Sequence, residues 1–387
     1  MKNYAVIGAN YGDEGKGLYV DYFCNRILQE TKCNPEEVAV VRFQGSCQAG
    51  HTVQAANHKH VFRHFGSGTL LGCPTILGPR FVCNPHSFLN ELKVLNSYSL
   101  SPVVFADPNC YITTAYEVMI NILLERKRGE NKHGSCGMGF GETIEREEVN
   151  KVSLKVADMF LPIRIIINKL KEVRANYFLR CAALNINPYA LCPNDILETV
   201  YKKCMEFAEN IYLYHDRIDY HKYHVFEGAQ GLKLDMNSED FPYVTRSKTD
   251  LTYALEFCKK YDMTIDEAVL VSRPYATRHG RGPLPFERKS LDFIKFTDET
   301  NVYNEFQEGI RLGLLNLSWI SNSVTKLKTQ CTTVSKAFTC LNQINNSIEV
   351  VGFFVGTTCK VSLSSMLRDI KYASFSPTRE HVVQLSK

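Results

Sequence analysis

Near the start of this 387-residue chain, Gly8, Gly12, Gly15 and Gly17 surround Asp13, Glu14 and Lys16. Glycines let backbone N–H groups approach phosphate oxygens, and a helix beginning there adds a favourable partial charge. Lys16 supplies a point charge for the outer phosphates of a nucleoside triphosphate. The spacing is not that of a standard phosphate loop. Six residues separate Gly8 from Gly15 instead of four, and Gly17 stands where a hydroxyl would hold magnesium. Asp13 then offers the oxygen ligand that suits Mg²⁺. A second cluster, Ala49-Gly50-His51-Thr52, sets an imidazole just after a glycine. There it can give a proton to a leaving or phosphorylated oxygen.

Both clusters need elements to hold them. Residues 4–8 (YAVIG) form a short apolar run ending in glycine, the pattern of a buried parallel strand. Residues 18–29 carry apolar side chains at 18, 22, 23, 27 and 28, which predicts a helix. Strand, glycine-rich loop and helix open an α/β nucleotide-binding core. Residues 38–43 predict a second strand, feeding a loop over 44–52 that includes His51. Helices are predicted over 87–95 and 113–126, the latter broken by the polar, glycine-rich stretch 127–141. Residues 151–210 are helical in character and carry no chemistry-bearing cluster. Residues 223–226 predict a strand entering Glu227-Gly228-Ala229-Gln230-Gly231, and 268–272 another entering the Pro- and Gly-rich stretch 273–286. Further on, apolar runs at 337–341 and 350–355 alternate with Ser/Thr/Asn-rich turns. With no repeat and no linker, the expected architecture is one α/β unit over 1–387. It has a large, mostly parallel central sheet, a P-loop-like core, a helical insertion at about 113–215 and a divergent region at about 300–387.

Composition narrows the partners. Lys+Arg 45 against Asp+Glu 41 leaves a net charge of +4, too little to make nucleic acid the default partner. Hydrophobic content of 44% and charged content of 22% exclude a disordered chain or a rod. The 14 cysteines never form a C-x-x-C pair, which argues against zinc ribbons and redox motifs. Free thiols fit a reducing compartment. No signal peptide is read before the first strand, and the apolar stretch 160–167 is short and carries Arg164, so no membrane partner is expected. The expected location is the cytoplasm, or the host cytoplasm if the gene is a phage's.

Gly12-Asp13-Glu14-Gly15-Lys16-Gly17 with Asp21, and Arg42-Phe43-Gln44-Gly45 leading to Ala49-Gly50-His51-Thr52, resemble the signatures of the adenylosuccinate synthetase family. Glu227-Gly228-Ala229-Gln230-Gly231, Pro242-Tyr243-Val244-Thr245, and Thr277-Arg278 with Gly282-Pro283 follow in the same order. The resemblance implies a ligase. GTP or ATP phosphorylates the 6-oxygen of a purine 5′-monophosphate, and L-aspartate then displaces the phosphate. It implies catalytic roles for Asp13 as base, for His51 at the 6-oxygen, and for Lys16 and Gln230. It also implies Mg²⁺ on Asp13 and the Gly50 carbonyl. Phosphate and nucleotide contacts fall on Gly12, Glu14, Gly15, Gly17, Ser135, Cys136, Gly137 and Thr245. A homodimer is implied, with the monophosphate site completed across the interface; Arg146 is the candidate for crossing it, beside a reading as a solvated helix face.

Departures from the family pattern carry the substrate question. Gln48 stands where the family has Asn, and Ser135-Cys136-Gly137 replaces Thr-Thr-Gly, trading a hydroxyl for a weaker thiol donor. The arginine-rich aspartate loop is nearly absent, and residues 301–313 take its place. Aspartate binding is therefore assigned to Thr52, Gln307, Arg311 and Arg278, with Arg281 a further candidate. The base-selecting Thr-Lys-Leu-Asp corresponds to Thr339-Cys340-Leu341-Asn342, and Asn342 leaves GTP and ATP both open. Pro377, in residues 374–378, is taken as the other wall of that pocket. These departures resemble the shorter phage-type branch, part of which makes N6-succino-2-amino-2′-deoxyadenylate from dGMP. The retained Asp13 favours IMP, with dGMP second. A reading of another class, a nucleotide-binding homologue without activity, is opposed by the intact set of Asp13, Lys16, His51 and Gln230.

Overall fold

The computed structural model describes residues 2–55, 58–215, 221–294, 303, 305–344, 347–352 and 358–385. An 11-stranded sheet forms its centre. From edge to edge it runs Val382–Gln384, Tyr372–Ser374, Val334–Phe338, Glu267–Ser272, Tyr4–Gly8, Tyr223–Gly231, Val38–Ser46, Thr75–Cys83, Val104–Ala106 and Tyr212–Leu213. Tyr111–Ile112 pairs with the far end of Thr75–Cys83. Every pairing in this sheet is parallel except that between its last two strands in sequence.

β1 (Tyr4–Gly8) lies between Tyr223–Gly231 and Glu267–Ser272 with all five residues buried. A strand covered on both faces has no reason to alternate, hence its continuous apolar run. Tyr4 and Val6 join Tyr19, Phe23 and Ile27 on one face, while Ala5 and Ile7 join Phe226, Ala254 and Phe257 on the other. The helix α1 (Lys16–Thr31) begins two residues before the predicted position, so Lys16 and Gly17 sit in its first turn. β2 (Val38–Ser46) outruns its prediction by three residues and buries all nine. Its polar residues stay inside because their groups are bonded there: Arg42 to the Phe65 carbonyl at 3.1 Å, Gln44 to the Ala229 carbonyl at 3.2 Å. β3 (His51–Ala55) corrects the expected loop, since His51 opens a strand that pairs with β4 (His58–Phe62).

The helices Ala115–Arg128, Ile163–Ala183 and Leu197–Ala208 pack together in one apolar cluster with side chains of Thr75–Cys83 and Val104–Ala106. Thr114 and Glu117 form a reciprocal cap on the first of them. A second sheet joins Tyr275–Arg278, Arg311–Asn316, Ser347–Val351 and Thr358–Ser362. The apolar run predicted at 337–341 is the end of the strand Val334–Phe338 followed by a short turn, Leu341–Gln343. Of the run at 350–355, residues 353–355 lie outside the described residues. Near the far end of the chain, Arg379 pairs with Asp21, a buried carboxylate of α1, and Thr378 bridges to Gln54 of β3. No described helix is long and apolar enough to cross a membrane.

Candidate functional site

The carboxyl ends of β1, β2, Tyr223–Gly231 and Glu267–Ser272 lie side by side, the place where open α/β sheets receive ligands. Register shifts between Val6 and Gly8 and between Arg42 and Gln44 splay the strands there. The loop between β1 and α1 folds around Glu14. Its Oε1 accepts from the N–H groups of Asn10 and Gly12, both at 2.9 Å, and its Oε2 from Lys16 Nζ at 2.8 Å. Glu14 therefore braces the loop from inside. Gly15, at φ +90°, caps α1, and a Cβ there would stand 2.7 Å from Thr339 Cγ2. Only glycine fits that approach. Thr339 Oγ1 in turn donates to the Glu14 carbonyl at 2.7 Å.

His51 and Glu227 form a buried dyad, Nδ1 to Oε1 at 2.6 Å. Ser67 donates to the same carboxylate through its hydroxyl and its N–H, and Arg42 Nε lies 3.8 Å from it. Burial pushes the Glu227 carboxyl up, but the charges of His51 and Arg42 and the hydrogen bonds outweigh it and hold the group at about 2. Burial likewise depresses His51 below its ordinary value, against the opposing pull of Glu227. An ionised Glu227 can only accept, so Nδ1 of neutral His51 carries the proton. Its Nε2 is buried and has no hydrogen-bond partner among the described residues.

Asp13 takes a left-handed conformation, φ +61°, and its Oδ2 lies 3.1 Å from His279 Nε2. Burial raises this carboxyl, yet the bond and charge of His279, with Arg273 and Lys16, hold it below the usual carboxylate range. Arg273 also donates to the Asp13 carbonyl, and Thr277 Oγ1 to the Gly12 carbonyl at 2.9 Å. Gln230 is left-handed too, at φ +60°, as its strand bends into the site.

These groups open onto a cleft of about 890 Å³. Of the residues singled out in the sequence, Gly12, Asp13, Lys16, Gly50, His51, Thr52, Ser135, Cys136, Gln230, Thr245 and Gln307 line it, as does Gln48. Asn121 Nδ2 holds Ser135 Oγ at 2.8 Å, and Gly137 N–H reaches the same oxygen at 3.4 Å. Glu14, Gly15 and Gly17 lie behind the wall. Three arginines do not follow their assignment. Arg278 is 1% exposed and is spent on Asp240, the Tyr243 and Pro283 carbonyls and the face of Tyr11. Arg311 is bound to Glu287 and to the carbonyls of Gly280 and Gly282. Arg281 is bound to Glu130 and Glu308. In each case the cation is already bound to a neighbouring carboxylate. Arg146 is corrected outright: it is fully buried against Glu117, Glu147 and the Ile112 and Val152 carbonyls, so it neither crosses an interface nor lies on a solvated face. Asn342 and Pro377 are exposed and follow neighbouring parallel strands, whose ends pack together. Residues 301, 302 and 304 of the replaced aspartate loop lie outside the described residues.

Sequence reasoning missed Glu227 as the partner of His51, although a carboxylate in a wholly buried strand is itself a signal. It also missed His279, Arg63, Arg128, Arg246 and His133, all on the cleft wall. Those five come from four segments, Arg128 and His133 sharing one, and no single motif joins them.

Comparison with known proteins adds a common ancestry to this geometry. The family model for adenylosuccinate synthetase matches residues 5–343. An adenylosuccinate synthetase of Borrelia recurrentis is 32% identical over 294 residues, 74% of this chain and 65% of that protein. One from Borrelia turicatae is 30% identical over 332 residues, 84% and 74% of the two chains. The chain thus spans about two thirds of the length of the first of these relatives. Among solved structures, the fully ligated adenylosuccinate synthetase of Plasmodium falciparum superposes with a TM-score of 0.75 at 16% identity, covering all of both chains. The cyanophage S-2L succinoaminodeoxyadenylate synthetase, bound to dGMP and to dATP as an energy donor, superposes at 0.61 and 16%, covering all of this chain and 96% of that one. At that identity both show a shared fold.

Proposed function

The chain belongs to the adenylosuccinate synthetase family, and on that premise we propose that it is a purine nucleotide ligase acting in two steps. GTP or ATP transfers its outer phosphoryl group to the 6-oxygen of IMP. The α-amino group of L-aspartate then displaces phosphate at C6, leaving adenylosuccinate, the nucleoside diphosphate and phosphate.

Each step has a group suited to it. The 6-oxygen becomes nucleophilic when N1 loses its proton, and Asp13, held ionised, is the carboxylate base. Lys16 meets the charge that builds on the transferred phosphoryl group. His51 donates at the 6-oxygen as phosphate departs only once its Nε2 has taken up a proton, and Glu227, bonded to Nδ1, fixes the ring and steadies the imidazolium that forms. Gln230 contacts the 6-position.

The family works with a divalent metal, and this cleft suits Mg²⁺. Asp13 and Gly50, whose carboxylate and carbonyl would hold it, both line the cleft, and no cluster of three His, Cys, Asp or Glu stands ready for a metal among the described residues. Magnesium characteristically takes one or two carboxylates plus substrate phosphates. When bound it neutralises charge on the phosphates.

Ser135, Cys136, Gly137 and Thr245 serve the monophosphate, Thr52 and Gln307 the aspartate, and the turn around Asn342 with Pro377 the base of the triphosphate. We take 1–387 as one unit working in the cytoplasm, as a homodimer.

The convergence of Asp13, Lys16, His51 and Gln230 on one cleft carries this reading. It is tested by incubating the protein with Mg²⁺, aspartate, either IMP or dGMP, and either GTP or ATP, and identifying products by mass. Succinylated product from IMP is expected. Product from dGMP alone would move the substrate to the 2-amino purine. No product from any pair would sink the ligase reading and leave a nucleotide-binding homologue.

A further inference from the structure

A second cavity lies in the helical insertion, apart from the cleft. It holds about 540 Å³, within the range of small-molecule sites, and shares no lining residue with the cleft. The helix Ala115–Arg128 serves both, giving Tyr116 and Met119 to this cavity and Asn121, Glu125 and Arg128 to the cleft. The helix Ile163–Ala183 and residues of the loop over 188–196 supply the rest. Sequence pattern assigned this segment no chemistry, because the polar groups of the cavity come from three places in the chain.

Aromatic rings form much of the wall. The ring centres of Tyr116 and Tyr177 lie 5.4 Å apart, and those of Phe178 and Tyr189 5.7 Å. The Tyr177 hydroxyl donates to the Pro188 carbonyl at 2.6 Å, which ties the loop to the helix. Tyr116 is different: it is 3% exposed, and its hydroxyl has no hydrogen-bond partner among the described residues. Burial pushes that hydroxyl up to about 12, and the groups acting on it electrically are Asp195, Arg174, Glu117 and Cys192. Three of these four line the cavity, so the hydroxyl is set towards it. A buried hydroxyl left unpaired is costly, and a polar atom of a ligand would satisfy it.

The charge at this wall is positive on balance. Lys171 and Arg174 stand about one turn apart on one helix, and Asp195 comes from the loop. Arg174 pairs with Asp195 through Nη1, and its remaining N–H groups have no partner among the described residues. Lys171 is exposed and makes no ion pair among those residues.

We propose that this cavity is a second ligand site, for a small planar aromatic molecule bearing one negative charge. The rings take its planar body, Arg174 and Lys171 its acidic group, and the Tyr116 hydroxyl a polar atom on it. Water leaving the aromatic walls supplies much of the gain. No residue of the cleft takes part, so the site stands independently of the ligase reading.

The probe is anilinonaphthalene sulfonate, a planar aromatic anion that brightens on leaving water. It is titrated into the folded full chain with IMP and GTP present and Mg²⁺ omitted, which keeps the cleft occupied. Binding of one equivalent is expected. Arg174→Gln and Tyr189→Ala each raise its dissociation constant about 10-fold, and Tyr116→Phe about threefold or more. Asp195→Asn breaks the same ion pair but keeps the cation and removes the competing charge, so affinity is retained or rises. A loss equal to that of Arg174→Gln would make the pair a mere tie between loop and helix and overturn the proposal. The probe should also slow the reaction of a thiol reagent at Cys192, on this wall, and not at the exposed Cys359. Probe binding that none of these substitutions weakens, or that leaves Cys192 unprotected, would overturn it. So would a Cys192 shielded only at high protein concentration, which would put a second copy of the chain over this face.

Discussion

Glu227 carries one of the sharpest tests at the scale of single residues, because it orients His51 from a fully buried position without lining the cleft itself. Replacement by Gln keeps the shape and removes the charge, so kcat falls about 100-fold while KM for the monophosphate changes little, the usual cost of losing an orienting partner. The same carboxyl has a signature in folding. Held at about 2 rather than its ordinary 4.5, it contributes stability that is present above about pH 4.5 and lost as pH falls towards 2. His51 acts in the same direction at milder acidity: its neutral form is favoured by the fold, so stability declines as pH falls below the ordinary histidine value. Urea unfolding of the wild type at neutral and acid pH should show both losses, with the lower one absent in Glu227→Gln. Asp13 makes a separate kinetic prediction. Asp13→Asn lowers kcat about 1,000-fold and leaves IMP binding within about threefold, since the base is lost and the cleft is not. Turnover retained by that variant would refute the assignment.

At the scale of elements, the loop between β1 and α1 is held by close approach as much as by hydrogen bonds. Gly15→Ala must place a methyl group against Thr339 at a positive φ, which costs about 1–3 kcal/mol and displaces the start of α1. A lowered Tm together with triphosphate affinity reduced about tenfold or more is the expected result. This loop was legible in the sequence because glycines mark unusual backbone, and β1 was legible because a doubly covered strand is apolar throughout. The end of β2 was not, since Gln44 and the two residues after it resemble a loop until their buried partners are known. The strand at His51 was hidden in a different way. Its buried positions, His51, Val53 and Ala55, alternate as a strand should, yet a glycine-histidine motif at the start invites a loop reading. The arginines of the cleft were the least readable, because three separate segments bring them together and none has a pattern of its own. Conversely, Arg278, Arg281 and Arg311 fell near recognisable motifs and turned out to be committed to carboxylates and carbonyls of their own region.

For the molecule as a whole, the 14 thiols become a measure of integrity. Cys359 alone is exposed, and Cys33, Cys136, Cys192 and Cys340 are half-buried. A thiol reagent on the native protein should react quickly at about one site and slowly at about four, with the rest appearing only on unfolding. Burial pushes the Cys136 thiol up to about 12, so its modification is slow at neutral pH, and the monophosphate should slow it further by covering the wall it lines. Rapid release of many thiols under native conditions would contradict the packing. The pairing of Arg379 with Asp21 bears on how the protein is made. The two residues are 358 positions apart, so α1 and the phosphate loop leave the ribosome long before the cation that completes them. Until residue 379 emerges, Asp21 has no partner for a carboxylate destined for the interior. A nascent chain halted upstream of that point would hold an unfinished nucleotide site and be prey to the proteases that clear incomplete products.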